Sequence, residues 1–328
     1  MSLDADLIVD RRRMRRKLTF WRVTAVFVAI AAVVGGAVLF AGNRGTITGA
    51  AAGGSIARVT IEGLIRGSRQ RTEALDRLAN SNAKAVIVHI NSPGGTVAGS
   101  EELYASLARV KAKKPMVVVV DGLAASGGYI AAIASDRIMA QQSSIVGSIG
   151  VIFQYPNFTD LLKTLGVQVE SIKSSPLKAS PNGLEPTTPE ARAAVESLVK
   201  DSYDWFRGLV RERRGLDQAA LDRVADGRVY TGRQALELKL VDALGDELAA
   251  VDWLAKEKGI DPKTPVRDYR LNPRFGDLPF LHTAVGGLLD AVGLRALAEH
   301  FKDWGAVQAV ERLNLDGLVA LWHPSTAN

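Results

Sequence analysis

Met116-Val-Val-Val-Val-Asp-Gly-Leu-Ala-Ala-Ser-Gly-Gly-Tyr129 decides how this chain is read. The apolar run Met116 to Val120 reads as a buried strand, and the glycines after it break the strand and restart the chain as a helix. Ser126 then stands at a sharp corner, beside backbone N–H groups that no ladder has used. An acyl-transfer enzyme places its nucleophile at such a corner. The competing reading is a serine N-cap on an ordinary helix.

A second strand end supports the catalytic reading. Val86-Ile-Val-His-Ile90 runs into Asn91-Ser-Pro-Gly-Gly95, where paired glycines let the backbone turn its N–H groups towards a ligand. Two such ends form an oxyanion hole, the donors that a tetrahedral intermediate requires for its negative charge. The general base is harder to find. Of four histidines, only His89 lies near, inside a strand that reads as buried, while His282, His300 and His323 fall in the C-terminal tail without metal-motif spacing. With no cysteine in the chain, a thiol nucleophile and a cysteine zinc site are excluded. A lysine desolvated beside small hydroxyls can lose its proton near neutral pH and serve instead. Ser171-Ile-Lys-Ser-Ser-Pro-Leu-Lys-Ala-Ser-Pro181, after the strand-like Val167 to Ile172, offers Lys173 and Lys178. Spacing alone does not choose between them.

Outward from these motifs the rhythm is strand then helix: Ala57 to Ile65 and Arg69 to Ala79; Ala85 to Ile90 and Ala98 to Val110; Pro115 to Val120 and Ser126 to Ala134. Near-continuous aliphatic strands alternating with helices predict an α/β fold with a mostly parallel sheet covered on both faces. Thr188-Pro-Glu190 starts a long helix that runs to Arg214-Gly215, with an apolar stripe that includes Val195, Leu198, Val199, Trp205, Phe206 and Leu209.

Residues 23–40 form an uncharged apolar stretch long enough to span a bilayer, with Trp21 as an interfacial anchor. The exit Ala41-Gly-Asn-Arg44 is a poor cleavage site, so an uncut anchor is expected in preference to a removed leader. Arg11, Arg12, Arg13, Arg15, Arg16, Lys17 and Arg22 precede it and predict a cytoplasmic N-terminus with the body on the far side. The first 44 residues hold eight basic and three acidic groups, leaving 33 against 32 in the remainder, so the basic character of a chain with net charge +6 belongs to the anchor region. A nucleic-acid partner therefore loses its main support.

The set Ile90-Asn-Ser-Pro-Gly-Gly95, Ala125-Ser-Gly-Gly-Tyr129, Gly147-Ser-Ile-Gly-Val151, the lysine loop, Asp226-Gly-Arg-Val-Tyr-Thr-Gly-Arg-Gln-Ala-Leu236 and Leu240-Val-Asp242 resembles the signal peptide peptidase A family of membrane-anchored Ser-Lys proteases. The resemblance covers residues 56–258 in the family's order. It implies a Clp protease/crotonase-like fold, Ser126 as nucleophile, Lys178 as general base, Ser148 as the hydroxyl that orients the lysine, and Gly95 and Gly127 as the oxyanion-hole donors. Lys173 matches a lysine that is not the base. The family commonly has Tyr-Lys-Asp where Leu177-Lys178-Ala179 stands here. The implied substrates are remnant signal peptides and other apolar extended peptides. Short members assemble as homo-oligomeric rings in which a neighbour supplies the lysine, and this chain carries one copy of each motif. No phosphate loop or metal motif occurs, so no cofactor and no metal are expected.

The expected organisation is a cytoplasmic basic segment (1–18), a transmembrane anchor (19–41), a flexible linker (42–55), a peptidase domain (56–258) and a C-terminal extension (259–328) of unassigned role. Within that extension residues 281–304 place apolar side chains near one helical face, and Leu313 to Trp322 is another apolar patch. Two other functions stay open on the residues: a crotonase-like acyl-CoA enzyme, which shares oxyanion glycines, and a non-enzymatic membrane scaffold.

Overall fold

A computed structural model describes residues 21–22, 54–271 and 318–321. The anchor stretch 23–40 lies outside the described residues, as do 281–304; among the described residues no helix is long and apolar enough to cross a membrane.

The backbone of the fold is a parallel sheet. Strand β1 (Ile56–Ile65) lies beside β2 (Ala85–Thr96), β2 beside β3 (Met116–Ala125), β3 beside β4 (Arg137–Ala140) and β4 beside β8 (Ala243–Leu244), all parallel. The other edge of β1 carries β9 (Val266–Asp268), also parallel. Beyond the end of that sheet, β5 (Ile145–Gly147) continues alongside β3 and pairs antiparallel with β7 (Val229–Thr231). Parallel neighbours need crossover connections. Helices α1 (Arg69–Ala79), α2 (Val97–Lys111) and α3 (Gly127–Ala132) supply them, the first two capped by the Ser68 and Thr96 hydroxyls, which accept from Arg71 N–H and Gly99 N–H.

Side chains alternate across a strand, and both faces of this sheet are apolar. Val86, Val88 and Ile90 of β2 and Val118 and Val120 of β3 face a large core with Leu75, Leu78, Leu103, Leu107, Tyr129, Phe206 and Val210. Ile56, Ile87, Val117 and Val119 face the other way, against Ala250 and Leu254 of α8 (Glu247–Lys258). The predicted strand and helix order of the first half is therefore observed, with β2 and β3 extending past their aliphatic runs into the glycine turns.

Three regions depart from the sequence-based expectation. Val167 to Ile172 forms no strand; it follows the short helix α4 (Thr159–Thr164) as irregular chain, with Val167, Val169 and Ile172 exposed. A strand persists only where a neighbour takes its N–H and C=O groups, and among the described residues none is beside this one. The long helix α5 (Pro189–Arg214) is observed with its Thr188 cap and left-handed Gly215 end, but its apolar stripe is core only in part. Phe206 and Val210 are buried, whereas Leu198 is exposed. The compact body also runs past the boundary expected at Lys258: β9 joins the sheet and Tyr269 enters the core, its hydroxyl donating to Ala74 C=O at 3.0 Å. A three-residue strand with two exposed positions carries no periodicity to read.

Beyond the Ile87/Val119 patch on the α8 face lies a polar row. His89 Nδ1 is 2.9 Å from Asp121 Oδ1 and Nε2 is 2.9 Å from Glu247 Oε2. Arg58 Nε and Nη2 donate to the Glu247 carboxylate at 2.5 and 2.6 Å. These Arg58 hydrogen bonds hold Glu247 below the usual carboxylate range, against the opposing effect of burial. The folded protein thus binds fewer protons at Glu247 than the unfolded chain does. That stabilisation is full above the ordinary carboxylate value and is lost as pH falls through the depressed one. Thermal melts from pH 7 to pH 3 should show a shallower acid loss of Tm in Glu247→Gln than in the wild type, with the variant less stable at pH 7; parallel acid slopes would remove Glu247 from the acid transition.

Candidate active site

The site forms where β2 and β3 end. Ser126 caps α3 with φ 53° and ψ −116°, a conformation that favours glycine. Such a residue typically costs about 1–3 kcal/mol and is held only by its surroundings. Here two carbonyls of one turn hold it. The Ser126 N–H donates to Gly147 C=O at 2.7 Å, and its hydroxyl lies 3.5 Å from Gly150 C=O. The side chain is 1% exposed, and Gly150 C=O is its hydroxyl's only hydrogen-bond partner among the described residues. Ser126 does not act as an ordinary cap: no side-chain capping bond is made.

Gly127 is the first residue of α3, where the helix itself leaves N–H groups unused. At Gly128 a Cβ would lie 2.6 Å from Ser92 C=O, so the helix start is pressed onto the β2 turn. Gly95 pairs with Ile65 of β1, and a Cβ there would lie 1.8 Å from Ile65 C=O. No other residue type fits that approach. The Ser92 side chain, missed by the sequence reading, braces this turn: its hydroxyl donates to Gly63 C=O at 2.7 Å and accepts from Gly94 N–H at 3.1 Å. Its place between Asn91 and Pro93 in the glycine motif was the available signal.

Ser148 also has positive φ, 52°, and its N–H donates to Arg228 C=O at 2.8 Å. The Asp226 to Leu236 motif therefore serves to hold the Gly147–Gly150 turn from outside. Arg228 is tied to Asp226, Tyr230 Oη donates to Arg223 C=O at 2.9 Å, and Thr231 and Gln234 form a reciprocal capping box on α7 (Gly232–Glu237). Leu240-Val-Asp242 anchors the other side: Tyr129 Oη donates to Leu240 C=O at 2.8 Å, and Asp242 accepts from Arg214 and from Ile138 N–H. Burial pushes the Tyr129 phenol well above its ordinary value, so it remains a donor.

The two lysines are placed differently. Lys173 Nζ donates to Glu185 Oε2 at 2.5 Å, and that hydrogen bond holds Glu185 below the usual carboxylate range. Lys178 is exposed, follows Leu177 in a turn closed by Lys178 N–H donating to Ser175 C=O, and its ammonium has no partner among the described residues. The chain thus sets Ser126, at the start of α3, against the Gly147–Gly150 turn that contains Ser148, presses α3 through Gly128 onto the Ser92 turn that precedes Gly95, and does not bring Lys178 into hydrogen-bond contact with Ser126. His89 is no base for Ser126, since both its ring nitrogens face carboxylates on the α8 side. Beside Ser148 opens a cavity of about 750 Å³, whose lining mixes Ile149, Val151 and Val199 with the charged Arg192, Glu196 and Lys200. Among the described residues no group of His, Asp or Glu is placed to hold a metal ion.

Residues 108–261 match peptidase family S49. A provisionally named protease of Synechocystis is 36% identical over 234 residues, covering 71% of this chain and 83% of that protein. The chain belongs to peptidase family S49. Within that family, a provisionally named signal peptide peptidase SppA of Enterococcus faecium is 36% identical over 184 residues, which cover 56% of this chain and 54% of that one. The chain thus spans only about half the length of some curated relatives. Among solved structures, a ClpP1 mutant from Listeria monocytogenes is similar over 58% of this chain and 91% of its own, at 15% identity and a TM-score of 0.38, too weak a likeness to bear on fold or function. Family S49 membership makes the chain a peptidase by class.

Two stability tests follow from the corner. Ser126→Gly should relieve the positive-φ strain and unfold at a Tm about 2–4 °C above Ser126→Ala, the shift expected for about 1 kcal/mol in a body of this size; equal Tm values would mean that the corner is unstrained. Ser92→Ala leaves the buried Gly94 N–H without the Ser92 hydroxyl and should cost about 1–3 kcal/mol in a denaturant melt, whereas an unchanged midpoint would mean that the turn is held without it.

Proposed function

We propose that this chain is a membrane-anchored serine endopeptidase that cleaves remnant signal peptides and other apolar extended peptides through a Ser126–Lys178 dyad. The observation that carries this reading is the strained, buried Ser126 whose hydroxyl has, among the described residues, a backbone carbonyl as its only partner, next to the glycines of the strand end and helix start. In the reaction, neutral Lys178 takes the Ser126 proton and Oγ attacks the peptide carbonyl. The N–H groups of Gly95 and Gly127 hold the oxyanion, and Lys178 returns the proton to the leaving amine. Water then repeats the cycle on the acyl-enzyme, with the Ser148 hydroxyl orienting the lysine. Lys173 is poorly suited to this role, because its Nζ is already engaged by the Glu185 carboxylate at 2.5 Å.

The lysine arrives from a neighbouring copy in a homo-oligomer. Two observations support this: Lys178 is exposed and its ammonium has no partner among the described residues, and the segment that carries it exposes Phe158, Leu161, Leu165, Ile172, Leu177 and Leu184. Apolar side chains in such number on one segment mark an interaction surface. The anchor, residues 19–41, holds the N-terminus in the cytoplasm of a bacterium and the catalytic body on the outer side of the inner membrane, as the basic residues before it favour. The apolar part of the cavity beside Ser148, with Ile149, Val151 and Val199, suits the side chains of such a peptide.

Detergent-solubilised wild type and Lys173→Ala should fragment a synthetic signal peptide, followed by mass spectrometry, while Ser126→Ala and Lys178→Ala lose about 10,000-fold or more. Loss in Lys173→Ala with retention in Lys178→Ala would move the base. Mixing Ser126→Ala with Lys178→Ala subunits during assembly should restore part of the activity, because some sites then pair an intact serine with an intact lysine. Failure of any mixture to recover activity would place both groups in one chain.

A further inference from the structure

Lys178 stands near the middle of a loop that no ladder supports. Between β6 (Ile152–Phe153) and α5 the one regular element is α4, and residues 167–188 form neither helix nor strand. A chain without ladder partners takes its shape from other contacts. The outgoing limb of the loop is docked: Phe158 N–H donates to Gly183 C=O at 2.8 Å, and Asn182 Oδ1 accepts from Leu184 N–H at 2.9 Å. Among the described residues, the incoming limb, Ser171 to Lys173, is joined to it through the side chain of Glu185.

Glu185 uses both of its carboxylate oxygens. Oε2 accepts from Lys173 Nζ at 2.5 Å, Asn182 Nδ2 lies 3.4 Å from Oε1, and Ser171 also hydrogen-bonds the carboxylate. The Lys173 side chain is 16% exposed, so its ammonium serves this frame and not the surface. Inside the clasp the tip is made of two tight turns, with Lys178 N–H donating to Ser175 C=O at 3.1 Å and Ser180 N–H to Leu177 C=O at 3.2 Å. Ala179, the residue after Lys178, has φ 55°. A non-glycine residue keeps such a conformation only while its surroundings impose it.

We propose that Glu185 is a positioning residue for Lys178: its carboxylate clasps the two limbs of the loop and so fixes where the Lys178 ammonium is presented. This rests on the reading of Lys178 as the general base. Glu185 does not touch the reacting atoms; it acts through the backbone between Lys173 and Lys178. A base must lie within hydrogen-bond reach of the proton it takes, and a displacement of about 1 Å can cost about 100-fold in rate. Loss of Lys173 leaves Glu185 with Ser171 and Asn182, whereas loss of Glu185 releases all three.

On an apolar fluorogenic peptide, Glu185→Ala should lower kcat about 100-fold with KM and Tm as in the wild type, and Lys173→Ala should still cleave, about ten-fold more slowly. The exchanged pair Lys173→Glu with Glu185→Lys should recover part of the kcat that either reversal alone loses. An unchanged kcat in Glu185→Ala, or a loss matched by a fall in Tm, would overturn the proposal. A second readout needs no catalysis. The chain has no cysteine, so Lys178→Cys takes a single fluorescent label at the tip. Its anisotropy should fall when Glu185→Ala is added, and an unchanged anisotropy would overturn the clasp whatever the kinetics show. A fall in anisotropy with no cleavage by the wild type would count against the Ser126–Lys178 reading and leave the clasp standing.

Discussion

The hydrogen bond from Ser126 N–H to Gly147 C=O, at 2.7 Å, is the contact on which the site depends. It ties the end of β3 to the turn after β5 and holds a serine in a backbone conformation that it would not choose alone. A strained residue persists when its neighbours leave it no alternative. Here Ser92 presses on α3 through Gly128, Tyr129 anchors the helix to Leu240, and Arg228 C=O fixes Ser148. Motifs more than a hundred residues apart therefore share one task, which is to aim a single hydroxyl.

The same alternation that builds the core keeps the polar groups of the sheet apart from this corner. His89 and Asp121 occupy the positions of β2 and β3 whose side chains face α8, together with Ile87 and Val119. Ser126 follows the glycine break, after which the chain leaves that register. Proximity in sequence between Asp121 and Ser126 is thus no guide to chemistry: one joins the row formed with Glu247 and Arg58, and the other turns into the site. A histidine one strand away from the nucleophile becomes a bridge between two carboxylates.

The lysine segment obeys a different constraint. It is closed on itself by Tyr155 Oη with Thr187 Oγ1, by Phe158 N–H donating to Gly183 C=O, and by the Lys173–Glu185 pair. At Gly183 a Cβ would lie 1.9 Å from Pro156 C=O, which explains the glycine. Many of its apolar residues are exposed instead of folding onto the body, and among the described residues no strand lies beside Val167 to Ile172. An alternating pattern predicts a strand only if a neighbour exists, and sequence pattern carries no information about the neighbour.

The sequence by itself determined the parallel sheet, its first three strand and helix pairs, the corner at Ser126 and the glycine turns beside it. Aliphatic runs must be buried, their period sets which face they cover, and glycine clusters mark where the chain turns. Tertiary structure alone decided what local pattern does not encode. It committed Lys173 to Glu185 and left Lys178 without a partner among the described residues, made Ser92 the brace of the β2 turn, and joined β9 and the short strand Leu318–Leu321 to the sheet. Each of these rests on a contact between residues distant in the chain. Strands of three or four residues are too short to announce themselves; they form because an existing edge offers them partners.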